Sequence, residues 1–251
     1  MRNRKLRNFR IVLQYEGTRF QGWQRQDSTE NTIQGKLEAI LSKMTGQQIQ
    51  VDGSGRTDAG VHAYGQVANF HMETKRSAAE IMEYMNQFLP EDIRVIQIKE
   101  VAERFHSRLN AVGKTYRYRI WNSGMPTVFE RRYVYELPQK LDLDEMRYAA
   151  AYLVGKHDFK AFTSNKRSKK STVRTIDEIL IEQQGNEVVL TYSGDGFLYH
   201  MVRILTGTLI EVGLGQRRAD SMERLLQSGK REDAGMLVPA KGLALMEVRY
   251  D

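Results

Sequence analysis

The chain has 251 residues, enough for one large domain or two compact halves, each with a core. Hydrophobic residues at 41% and charged residues at 27% are ordinary soluble-protein proportions, and no apolar run approaches the roughly 20 residues that span a membrane. The absence of cysteine excludes disulfides and thiolate metal sites, while 38 Lys and Arg against 31 Asp and Glu give a net charge of +7, which suits a polyanion whose phosphates release counterions on binding.

The basic N-terminus, Met1 to Arg7, is followed by Phe9, Ile11, Leu13 and Tyr15 alternating with Arg10, Gln14 and Glu16. Period-two alternation predicts a half-buried strand, so no signal peptide is expected and the cysteine-free chain fits the cytoplasm. Asn31 or Thr32 opens a helix with Ile33, Leu37, Ile40, Leu41 and Met44 on one face, ending near Gly46. A short strand at Gln48–Val51 leads to a glycine-punctuated loop, Asp52–Gly60, and a strand at Val61–Met72. Ser77 caps a helix over Ala78–Leu89 that Pro90 terminates, and Ile93–Val101 is the next strand. The order β-α-β-β-α-β resembles a split βαβ unit, an antiparallel sheet with helices on one face.

The second half reads similarly, with longer connections. Strands are predicted at Val112–Trp121 and Arg132–Leu137, then a helix over Asp144–Val154 closed by Gly155. Val173–Gln183 and Glu187–Ser193 form a hairpin turned at Gln184-Gly185-Asn186. Phe197–Val212 and Ser221–Leu226 are helical, and Gly242–Tyr250 is the last strand. Tyr15-Glu16-Gly17-Thr18-Arg19-Phe20 and Tyr192-Ser193-Gly194-Asp195-Gly196-Phe197 share Tyr-x-Gly-x-x-Phe, each ending a strand before a helix, which points to two related halves.

Gly53, Gly55 and Gly60 let the loop turn tightly and approach a ligand closely, and they hold Arg56 and Asp58 two residues apart at the sheet edge. Alone, Asp-x-Gly is a common turn whose Asp bonds to its own backbone. The phosphate-binding pattern Gly-x-x-x-x-Gly-Lys-Ser/Thr is absent, and the five histidines, His62, His71, His106, His157 and His200, show no paired-ligand spacing, so neither a nucleotide cofactor nor a metal is expected.

Arg56-Thr57-Asp58-Ala59-Gly60-Val61-His62-Ala63 is similar to the signature around the catalytic aspartate of A-type tRNA pseudouridine synthases. Tyr15-Glu16-Gly17 to Gln24, Lys114-Thr115-Tyr116-Arg117-Tyr118 and Gly196-Phe197-Leu198-Tyr199-His200-Met201-Val202-Arg203 resemble the same family in the same order. His157-Asp158-Phe159 and Val173-Arg174-Thr175-Ile176 do too. The resemblance implies an α+β pseudouridine synthase fold: two fused ferredoxin-like, split βαβ-type halves around a central, mostly antiparallel sheet with helices on the outer faces. Residues 1–104 would carry the aspartate loop and 105–251 the substrate tyrosine and a basic RNA-binding loop.

The implied reaction isomerises uridine within RNA. The N1–C1′ bond breaks, uracil rotates, and C5 bonds to C1′, with no cofactor or group donor. Asp58 would be the nucleophile, already ionised at neutral pH from a reference pKa of about 3.9. Arg56 or Arg203 would supply a cation beside the carboxylate. Tyr116 would pack against the flipped base and assist proton transfer, with Tyr118 left to the core. His62 is read as holding the loop rather than as a base. Lys166, Arg167, Lys169, Lys170 and Arg174 would grip RNA, with Arg2, Arg4, Lys5 and Arg7 as a second basic segment.

The usual family substrate is tRNA at uridines 38, 39 and 40 of the anticodon stem-loop, handled by a homodimer. The chain departs from the family in carrying Asp195 and His200 where asparagine is usual, which bears on RNA positioning rather than on chemistry. The rival readings are a paralogue acting on another structured RNA, such as ribosomal RNA, and a non-catalytic RNA-binding module.

Overall fold

The protein is described here by a computed structural model that covers residues 6–165 and 170–251. Lys166, Arg167 and Lys169 of the basic loop, and Arg2, Arg4 and Lys5, lie outside the described residues. The chain divides into two compact units: one runs to Val112 and includes Leu245–Asp251, and the other is Gly113–Ala244.

The first unit contains β1 (Leu6–Tyr15), α1 (Ile33–Thr45), β2 (Val51–Gly53), β3 (His62–Glu73), α2 (Ala78–Phe88) and β4 (Ile93–Val101). β1 pairs antiparallel with β4 on one side and β3 on the other, and β2 pairs antiparallel with β3. The resulting order β4-β1-β3-β2 is that of a split βαβ unit. The alternation read in the sequence buries Phe9, Ile11 and Leu13 completely. Phe70 on β3 stacks on Phe9 with ring centroids 5.7 Å apart. The last strand, β10 (Leu243–Tyr250), runs beside β3, where Gly65 leaves room for the Met246 carbonyl that a Cβ would meet at 2.4 Å.

Both helices start where their caps predict. Thr32 accepts from the Gly35 N–H, and Gly46 ends α1 in the left-handed region at φ 70°. Ser77 and Glu80 form a reciprocal capping box on α2. α1 buries Ile33, Leu37 and Leu41, while Ile40 and Met44 flank them half-buried. The short strand falls at Val51–Gly53, later than Gln48–Val51. Glu38 of α1 takes the Val51 N–H at 3.1 Å, and the Trp23 ring lies where a Gly53 Cβ would be.

The second unit holds β5 (Ala111–Trp121), β6 (Tyr135–Glu136), α3 (Leu143–Ala151), β7 (Gly155–Asp158), β8 (Val173–Gln184), β9 (Glu187–Gly194), α4 (Met201–Gly213) and α5 (Ser221–Ser228). Its strands follow the order β5-β9-β8-β7 in antiparallel pairs, with β6 parallel to the end of β5. The β8–β9 hairpin closes through Gly185 (φ 61°) and Asn186, between paired Gln184 and Glu187.

Several boundaries differ from the sequence reading. The strand anticipated over Arg132–Leu137 contracts to Tyr135–Glu136, since the preceding residues turn and bond locally, Tyr133 N–H to the Glu130 carbonyl. α3 stops at Ala151, and Gly155 (φ 104°) instead opens β7, an edge strand paired with β8 from Gly155↔Ile176 to Asp158↔Val173. Four residues of irregular periodicity gave no strand signal there. Phe197–His200 do not belong to α4. His200 is its N-cap at φ 65°, a left-handed conformation that forces the chain to enter the helix from a turn. Asparagine and histidine tolerate that region better than most residues.

Candidate active site

The loop from Ser54 to Val61 joins β2 to β3, and its path is set by the chain end of β1. The Trp23 N–H donates to the Thr57 carbonyl at 3.0 Å, the Gly60 N–H to the Phe20 carbonyl at 3.3 Å, and the Val61 N–H to the Asp58 carbonyl at 3.1 Å. Gly17 and Gly22 permit the contact: a Cβ on Gly17 would lie 2.0 Å from the Val61 carbonyl oxygen, and one on Gly22 (φ 89°) 2.7 Å from that of Thr57. The segment from Tyr15 to Gln24 and the aspartate loop are therefore one packed object.

Inside the loop, Thr57 is buried and its Oγ1 lies 2.8 Å from the Tyr15 hydroxyl. Thr57 turns inward, leaving Asp58 half-buried and Arg56 exposed. Burial pushes the Tyr15 phenol up to about 12, partly offset by its Thr57 and Gln66 hydrogen bonds. His62, 4% exposed, receives the Gly17 N–H on Nδ1 at 3.0 Å. An Nδ1 that accepts carries no proton, so the Glu16 oxygen 3.4 Å away is not an ion-pair partner in this tautomer. His62 braces the loop.

In the second unit, Tyr116 is 8% exposed, pairs across the ladder with Tyr192, and meets the Phe197 ring edge-on at 5.2 Å and 82°. Tyr118 is fully buried and donates to the Pro239 carbonyl at 2.8 Å. Burial raises its phenol pKa and the nearby Arg203 guanidinium opposes the rise. Arg203, in the first turn of α4, donates from Nε to the Val238 carbonyl at 2.8 Å, which fixes the stem of its fork. Arg174 on β8 curls onto the Ser171 and Val173 carbonyls at 3.1 and 2.6 Å, and its stem runs beside Gly196. Lys170 is exposed.

Each unit thus gathers its own matched stretches. The first joins Arg56 and Asp58 to the Tyr15 segment, and the second joins Tyr116 to Phe197 and Arg174 to Gly196. Sequence reasoning missed the buried polar residues beneath the loop, Ser54, Thr57 and Gln66. A signal for Gln66 existed: it shares a face of β3 with Ala68, Phe70 and Met72, an amide where the period calls for an apolar side chain.

The first unit carries the aspartate loop on a split βαβ unit, and the second carries a buried tyrosine strand and an arginine in the first turn of α4. Comparison with known sequences shows the family. The family described as "tRNA pseudouridine synthase" matches residues 11–110 and 149–251. A tRNA pseudouridine synthase A from Bacillus sp. (strain KSM-64) is 46% identical over 98% of this chain and 100% of its own. The tRNA pseudouridine synthase A 1 of Clostridium tetani shows the same 46% identity and coverage, and the tRNA pseudouridine synthase A 2 of Bacillus anthracis is 43% identical over 98% of this chain and 100% of its own. A solved archaeal box H/ACA sRNP Nop10-Cbf5 complex aligns with a TM-score of 0.37 and 12% identity over 81% of this chain and 44% of that one, too distant to carry weight.

The chain belongs to the tRNA pseudouridine synthase A family. It is an isomerase that converts uridine to pseudouridine in tRNA, with the α+β fold of that family, and the reading as a non-catalytic module or as an enzyme for another RNA is not favoured.

Proposed function

We propose that Asp58 is the nucleophile of this isomerisation and that its targets are uridines 38, 39 and 40 in the anticodon stem-loop. The observation that carries the reading is the loop's division of labour. Thr57 is anchored inward at 2.8 Å from Tyr15 while the neighbouring Arg56 and Asp58 are left accessible to a substrate. A carboxylate with a reference pKa of about 3.9 needs no partner base to attack carbon. It needs aim, a dry setting and a cation, the last supplied by Arg56 or Arg203.

Tyr116 is assigned to packing against the flipped base, and its edge-on Phe197 contact supports this by setting the ring's angle. Extrusion of the base costs a few kcal/mol, offset by stacking and phosphate contacts. Lys166, Arg167, Lys169, Lys170 and Arg174 are assigned to the RNA backbone. In this division residues 1–104 carry the nucleophile and 105–251 the base-facing tyrosine and basic loop. We also infer a cytoplasmic homodimer. Its support is the family resemblance and an exposed apolar run, Met125 at 76%, Val128 at 67% and Phe129 at 88%, more clustered than scattered surface apolars usually are.

The test is tritium release from 5-tritiated uridine in tRNA. Asp58→Ala and Asp58→Asn abolish release while tRNA binding survives, and mapping of the product places pseudouridine in the anticodon stem-loop. Turnover by either variant at the wild-type rate refutes the assignment.

A further inference from the structure

Gln66 is fully buried on β3, on the face it shares with Ala68, Phe70 and Met72. A primary amide in such a place is costly unless all its groups are satisfied. Every one is, and two of the four partners, Ser54 and Gly55, belong to the aspartate loop. Its Oε1 accepts from Ser54 Oγ at 2.7 Å and from the Val67 N–H at 3.1 Å. Its Nε2 donates to the Gly55 carbonyl at 3.0 Å and, at the longer distance of 3.4 Å, to the Tyr15 hydroxyl. The same Tyr15 hydroxyl shares a hydrogen bond with Thr57 Oγ1 at 2.8 Å. One amide therefore reaches Ser54 and Gly55 directly and Thr57 through one phenol, all within four residues of Asp58. The Ser54 N–H adds a bond to the Val67 carbonyl at 2.7 Å, so the loop's entry is tied to the same strand position.

We propose that Gln66 is a positioning residue for the reaction: its amide, acting through Tyr15 and Thr57, sets the backbone of residues 54–57 and thereby the aim of Asp58. The inference rests on the reading of Asp58 as the nucleophile. A buried hub of this kind makes no phosphate contact, so its effect falls on attack geometry rather than on RNA affinity. Misplacing a reacting group by about 1 Å costs on the order of 100-fold in rate.

The experiment compares steady-state kinetics on tRNA for wild type, Gln66→Leu, Tyr15→Phe, Asp58→Asn and Met85→Ala. Gln66→Leu keeps the side-chain bulk and removes every hydrogen bond. Tyr15→Phe removes only the hydroxyl that relays to Thr57. Met85→Ala, fully buried on α2, is the control for lost stability without a change at the loop. The expected result is a kcat lower by about 30- to 100-fold in Gln66→Leu and about 10-fold in Tyr15→Phe, with KM within about 3-fold of wild type and Met85→Ala near wild type. A kcat for folded Gln66→Leu within about 3-fold of wild type, or no lower than that of Met85→Ala, overturns the proposal. If Gln66→Leu does not fold, Tyr15→Phe decides by the same criterion. Full activity in Asp58→Asn overturns the nucleophile reading, whereas an inactive Asp58→Asn beside an undiminished Gln66→Leu overturns this inference alone.

Discussion

The hydroxyl groups of Tyr15 and Thr57, the residue before Asp58, lie 2.8 Å apart, both buried, on residues 42 apart in the chain. Removing either group leaves the other buried without this partner. Tyr15→Phe and Thr57→Val should each lower unfolding free energy by about 1–2 kcal/mol. The double variant should lose less than their sum by about 1 kcal/mol, because the bond between the two hydroxyls can be lost only once. Urea denaturation of the four proteins measures this coupling. Strict additivity would mean the two hydroxyls do not interact.

Alkaline stability follows from the buried phenols. Burial pushes Tyr15 from 10.0 up to about 12, and raises Tyr118 and Tyr192 for the same first cause. The folded state holds these protons after the unfolded chain has released them. The stabilisation is therefore complete below the unfolded value near 10 and is lost as pH climbs toward and through the folded values. For Tyr15 alone the loss amounts to about 3 kcal/mol. Denaturant midpoints should fall steeply above pH ~10, and phenolate absorbance from these side chains should appear together with unfolding. Tyr15→Phe should flatten part of that slope. A midpoint that stays level across the interval would show that the phenols ionise freely in the native protein.

The glycines of the two Tyr-x-Gly-x-x-Phe stretches should be intolerant of a methyl group for a packing reason. A Cβ on Gly17 would stand 2.0 Å from the Val61 carbonyl oxygen, and one on Gly194 2.5 Å from that of Thr175, both rigid backbone atoms. Gly46 has φ +70° but nothing within 4 Å of its Cβ position. Gly17→Ala and Gly194→Ala should thus cost about 3 kcal/mol or more, against about 1 kcal/mol for Gly46→Ala, where only the left-handed backbone resists. Thermal melts rank the three. Gly17→Ala should additionally depress turnover, since the carbonyl it displaces belongs to the loop of Asp58.

The assignment of the basic loop to RNA has its own signature. Replacing Lys166, Arg167, Lys169 and Lys170 by alanine should weaken tRNA binding and reduce the slope of log K against log salt by roughly 0.7–0.9 for each phosphate that is no longer neutralised. Filter binding across a salt series reads it. An unchanged slope would assign these cations to solvent.

What local chemistry encodes was legible from the residues. The Ser77–Glu80 box, Thr32 and Gly46 around α1, and the Gly185-Asn186 turn act within a few positions of themselves, and each element begins or ends there in the structure. Elements whose limits depend on distant partners were read less well. β7 exists because β8 offers it an edge, Tyr135–Glu136 because β5 does, and α4 begins late because His200 turns the chain before it.

The same division holds at the site. By itself the sequence singled out Arg56-Thr57-Asp58-Ala59-Gly60, because its residue order resembles the family signature. Folding decided which member of that stretch faces inward and what holds it. Tyr15, Gln66 and Thr57 come from separate strands and a loop, with Tyr15 and Gln66 51 residues apart, and meet only because β1 and β3 pair, their register shifting between Leu13↔Gln66 and Tyr15↔Ala63. A hydrogen bond between residues so far apart has no local pattern, since its existence depends on the backbone that brings the two groups within reach.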